Sequence, residues 1–97
     1  MFAGVVFAQF KPGTLDEAIR IYRDDVVPSA KQQKGYVSHT LLIDRQTNKV
    51  ISIAMWATES DMTASKTSGH YQQQLAKFKD IFAAPPLRED YEVSVQE

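Results

Sequence analysis

The chain predicts an α+β fold of the ferredoxin-like split βαβ type, an antiparallel sheet with the element order β-α-β-β-α-β, and three observations carry that reading. Lys49 to Asp61 is a β-branched, apolar strand that ends at Trp56 and runs directly into helix-capping residues. Helical periodicity falls in two blocks, one after the first strand and one after this third strand. Two strands are apolar on both faces. The first sets Phe2, Val6 and Phe10 against Ala3, Val5 and Phe7, and the third sets Ile51, Ile53 and Met55 against Val50, Ala54 and Trp56. In a chain this short the simplest cover for a second apolar face is another copy of the same sheet, so a homodimer joined through its sheet faces is expected.

The elements follow in order. Phe2 to Phe10 form the first strand, closed by the turn signal Pro12-Gly13. Thr14 opens a helix and Glu17 completes a capping box, while Leu15, Ala18, Ile19, Tyr22 and Val26 recur on one face. Pro28 removes a backbone donor, so a kink is expected there before the helix resumes through Ser29 to Gln33, with Gly35 as its left-handed cap. Tyr36 to Ile43 make the second strand, and the loop Asp44 to Asn48 returns the chain antiparallel, with Asn48 taking positive φ. Thr58 or Ser60 caps a short helix reaching about Lys66. Thr67-Ser68-Gly69 interrupts it, and a second piece from His70 to about Phe82 places Tyr71, Leu75, Phe78 and Phe82 on one face. After Pro85-Pro86 the last strand alternates Tyr91, Val93 and Val95 with Glu92, Ser94 and Gln96.

Length and composition bound the function. The 97 residues fit a single domain, 1–97, whose folding buries only about two-thirds of the unfolded surface, so association would help it. A net charge of −1 gives no field for a polyanion, which argues against a nucleic-acid partner. With no cysteine, thiolate zinc and iron–sulfur sites are excluded, and the cytoplasm is the expected compartment. The apolar opening from Met1 lacks a basic n-region and reads as a strand, and no apolar run reaches the ~20 residues needed to span a membrane. Two separated histidines without a neighbouring carboxylate at ligand spacing make a weak metal site, the four glycines form no phosphate loop, and no G-x-S-x-G nucleophile motif occurs.

Lys34-Gly35-Tyr36 entering the second strand, Trp56-Ala57-Thr58-Glu59-Ser60 leaving the third, the broken helix, and Glu89-Asp90-Tyr91-Glu92-Val93 near the end together resemble the antibiotic biosynthesis monooxygenase domain family. The resemblance spans essentially the whole chain and implies a dimeric α+β barrel. It further implies either an oxygenase that acts on an anthrone or quinol without metal, flavin or other cofactor, or a non-catalytic dimeric module that binds a small apolar ligand or serves regulation. The asparagine that the haem-degrading branch carries on its first strand is missing here, and 62–66 contains no tryptophan. Of the asparagine and tryptophan near the ligand in the anthrone-oxidising branch, only Trp56 offers a counterpart.

Oxygenation of that kind needs a flat, electron-rich phenol in a dry pocket and a base to take its proton. His70, at the helix break, is the candidate catalytic base; the plain alternative is a surface histidine at a helix start. Trp56, Tyr22, Tyr71 and His39 are the candidate substrate-binding residues. Trp56 can stack on a flat ligand or simply fill the core, and Tyr22 and Tyr71 can line the cavity or bond the backbone. His39 alternates with Val37 and Leu41 and shares their face, as a core or interface histidine also would. No metal is expected.

Overall fold

The computed structural model describes all 97 residues. Four strands, β1 (Phe2–Gln9), β2 (Tyr36–Asp44), β3 (Lys49–Trp56) and β4 (Leu87–Glu92), form one antiparallel sheet in the order β2-β3-β1-β4. The helices α1 (Leu15–Ile21), α2 (Val27–Ala30), α3 (Glu59–Thr67) and α4 (His70–Ala76) complete the split βαβ arrangement. The two doubly apolar strands, β1 and β3, are neighbours at the centre of the sheet. On one face Phe10, Val50, Leu15, Ala18, Ile21, Tyr22, Val26 and Phe78 form the core. Phe10 extends that core by stacking on Phe82 at 5.2 Å and pairing with it in a single bridge.

Asn48 takes a φ of 60° in the β2–β3 hairpin, and the Thr58 hydroxyl accepts the Asp61 amide at 3.1 Å to cap α3. Other local expectations are corrected. Thr14 makes no side-chain cap; its hydroxyl is turned back to donate to the Lys11 carbonyl at 2.7 Å. The irregularity expected at Pro28 takes the form of a π-helical turn, Tyr22–Val26, just before it, and the helix resumes in α2 only to Ala30. The helix ends at Ala30, so Gly35, with φ 80°, turns the chain into β2 rather than capping it. Helix α4 stops at Ala76 and the chain continues to Phe82 in turns.

The last strand begins earlier than its alternation suggests. β4 pairs from Phe7↔Leu87 to Phe2↔Glu92, and the Val93 amide then reaches the Met1 carbonyl at 2.9 Å, where strand partners run out. Val95 is left exposed. The register places Arg88 and Asp90 over the helix-bearing face, beside Val6 and Gly4.

Candidate functional site

Between helices and sheet lies a cavity of about 90 Å³, several times the ~10–15 Å³ that one water needs. It exists because the strands contribute small residues where the helices pass over: Gly4, Val6 and Ala8 from β1, and Ser52 and Ala54 from β3. Most of its lining is apolar, and its polar groups are few: His39, Ser52, Tyr22, Trp56, Ser65, His70, Tyr71, Gln74 and Arg88. All five residues singled out from the sequence, His70, Trp56, Tyr22, Tyr71 and His39, therefore border one space.

A bulge decides how two of them meet. β2 slips register between Tyr36 and Ser38 against β3, which carries Val37 out to solvent, 44% exposed, instead of onto the His39 face. Tyr36 and His39, three residues apart, consequently share a face and stack at 5.4 Å. Tyr36 also meets Trp56 edge-on at 6.1 Å, and Tyr22 meets His39 edge-on at 5.4 Å. The Tyr22 hydroxyl is occupied, 3.0 Å from Ser52 Oγ and donating to the Thr40 carbonyl at 3.3 Å.

Trp56 is 2% exposed, yet its Nε1 has no hydrogen-bond partner, and neither has His39 Nδ1. An unpaired buried polar atom costs about 1–3 kcal/mol, so these two are conspicuous. His70, 8% exposed, opens α4 behind the left-handed Gly69, and its Nδ1 lies 3.4 Å from Gln74 Nε2. The Tyr71 ring lies 4.4 Å from the Arg88 guanidinium carbon. Burial pushes the Tyr22 phenol up to about 12, Ser52 opposing only in part, and burial raises Tyr71 as well. Burial, with the charge of His70, lowers His39 to about 4; burial and then Lys77 lower His70. At neutral pH the phenols keep their protons and both imidazoles are uncharged.

Arg88 is the lining residue that stays charged, and sequence reading missed it because the last strand was placed too late. Its Nε donates to Asp90 Oδ1 at 2.8 Å, and Asp90 also pairs with Lys66. Burial opposes the charged form of Asp90, but the bonds from Lys66 and Arg88 outweigh it and hold the carboxyl below its ordinary range. A signal was present: two alternating charges, Arg88 and Asp90, opposite a glycine that leaves room for them. No three His, Asp or Glu side chains come together in a metal-holding group.

The family model described as antibiotic biosynthesis monooxygenase matches residues 1–77, and the chain belongs to that family. Its fold is shared by the cofactor-independent oxygenase SnoaB of Streptomyces nogalater, with a TM-score of 0.78, 16% identity and coverage of 98% of this chain and 94% of that one. The monooxygenase from the gene ActVA-Orf6 of Streptomyces coelicolor, solved with nanaomycin D, gives 0.79 and 16% over 99% and 89%. The uncharacterized protein Rv2557 of Mycobacterium tuberculosis is 26% identical over 97% of this chain. The chain spans only 41% of that relative's length. No helix is long and apolar enough to cross a membrane.

Proposed function

We propose that this chain is a single-domain, cofactor-independent monooxygenase for a small aromatic or quinol substrate, working as a homodimer. The observation that carries the reading is an apolar cavity whose buried indole N–H and imidazole nitrogen have no partner in the chain. A flat ligand bearing oxygen would supply those partners while its rings meet Trp56, Tyr22 and Tyr71.

In this reading the guanidinium of Arg88 and the Trp56 N–H favour the ionised form of a phenol or enol, lowering the cost of losing its proton. His39 and His70, both uncharged, are the imidazoles beside the cavity. His39, whose Nδ1 is free, takes the proton; the anion passes one electron to dioxygen, the radical pair joins to form a C–O bond, and the peroxide takes that proton back and loses water. In an anthrone-type substrate a ring CH2 thereby becomes C=O, with one oxygen atom retained and the other released as water. The apolar walls keep bulk water from the anion.

One observation favours the second reading, a non-catalytic module that binds a small apolar ligand. His39 lies far below the pKa that suits a general base near neutrality, and His70 already has one nitrogen engaged. Oxygen uptake by chelator-treated protein with reduced quinols and anthrones separates the readings. Uptake above the buffer rate supports the oxygenase; ligand-induced quenching of Trp56 fluorescence without uptake supports the binding module.

A further inference from the structure

The two cavity histidines are held differently. His39 Nδ1 has no partner, whereas His70 Nδ1 stands at the end of a chain of groups that begins on the protein surface. We infer that Gln74 and Lys77 are positioning residues that fix the tautomer of His70, so that it presents Nε2–H as a hydrogen-bond donor to an oxygen of the bound ligand.

The geometry sets each direction in turn. Lys77 Nζ donates to Gln74 Oε1 at 2.8 Å and to the carbonyl of Asp25, in the π-helical turn, at 3.4 Å. An ammonium has only donors, so the amide must turn its oxygen toward it. The amide NH2 is then left facing Ser29 Oγ at 3.3 Å and His70 Nδ1 at 3.4 Å. A ring nitrogen that accepts this N–H cannot carry its own hydrogen, and the neutral imidazole therefore holds it on Nε2. His70, Gln74 and Lys77 follow one another at i, i+4 and i+7 across α4 and the turn after it, which is why they line up. An exposed lysine thus sets the character of a buried ring.

Such a donor suits an acceptor oxygen, a phenolate or quinone carbonyl, and it rules His70 out as the group that receives the substrate's proton at Nε2. The sequence places the base at His70; the hydrogen-bond chain assigns it the opposite role. The ligand class rests on the oxygenase reading, but the tautomer does not.

The test is long-range 1H–15N correlation of the His70 ring in 15N-labelled protein at neutral pH. The wild type is expected to show a bare Nδ1 and a protonated Nε2. Gln74→Glu exchanges the amide donor for an acceptor and should move a hydrogen onto Nδ1. Lys77→Met, a surface change that leaves the core untouched, should release the amide and give a mixture of tautomers. A wild-type ring with its hydrogen on Nδ1, or a tautomer indifferent to both variants, overturns the inference. An Nε2–H ring in a protein that takes up no oxygen would leave it standing and remove the oxygenase reading alone.

Discussion

The guanidinium of Arg88 lies over Gly4: a Cβ built on that glycine would stand 2.5 Å from Arg88 Nη2. Glycine is otherwise a poor residue for the middle of a central strand, so its presence here makes room for the one charged group of the cavity. Gly4→Ala should keep the fold, since the clash is with the end of a flexible side chain, and should displace the guanidinium. Affinity for a phenolic ligand, read by Trp56 fluorescence, is expected to fall about 10-fold, equivalent to about 1.4 kcal/mol, as it should in Arg88→Ala. A Gly4→Ala protein that binds as wild type while Arg88→Ala does not would show that the glycine is irrelevant to the site.

His39 links the site to acid stability. Its folded pKa, about 4, lies below the ordinary imidazole value of 6.5 because it is buried. Between those values the unfolded chain binds a proton that the folded chain refuses. Stability is therefore full above pH 6.5 and declines as pH falls toward 4, by up to about 3 kcal/mol. His39→Leu should remove that decline and, by deleting an unpaired buried nitrogen, add about 1 kcal/mol at pH 7. Urea titrations across pH check both, and a wild type whose stability is flat from pH 7 to 4.5 refutes the assignment.

Gly35 and Asp61 join the two stretches, Lys34 to Tyr36 and Trp56 to Ser60, on which the family resemblance rests. Gly35 has φ 80°, its carbonyl accepts the Ala57 amide at 2.8 Å, and a Cβ there would collide with the Asp61 carboxylate. Gly35→Ala should cost at least about 2 kcal/mol. Adding Asp61→Ala should recover about 1 kcal/mol of it, although that change also weakens the α3 cap. Strict additivity in a thermal double-mutant cycle would dismiss the collision.

The helix-free face of the sheet exposes Phe7, Leu42, Leu87 and Tyr91, at 38%, 48%, 69% and 50%. These residues share the face by register, since Phe7 pairs with both Ile51 and Leu87 and Ile51 pairs with Leu42. The proposed dimer buries this face. Sedimentation should give twice the 11.0 kDa chain mass, and Phe7→Lys should give a monomer. A wild-type mass of one chain at all concentrations is incompatible with the dimer.

The element order and the two doubly apolar strands, β1 and β3, were legible because both rest on apolar periodicity. The Thr58 cap and Asn48 turn were legible because each residue type has a local physical reason to be there. What escaped was set by long-range register. The β2 bulge that joins Tyr36 to His39 leaves no mark in the local alternation. The start of β4 depends on where β1 ends, and with it went Arg88. Gln74 and Lys77 read as ordinary polar helix positions, because only the approach of α4 to Ser29 and Asp25 gives them partners.

Oxygenation of an aromatic substrate is the central claim, and isotope labelling reads it directly. Chelator-treated protein, a reduced quinol or anthrone, and 18O2 should yield product carrying one labelled oxygen atom at a rate above buffer and above Trp56→Ala protein. Product without label, or formation no faster than in buffer with every substrate that quenches Trp56, would contradict the oxygenase reading and leave a ligand-binding module.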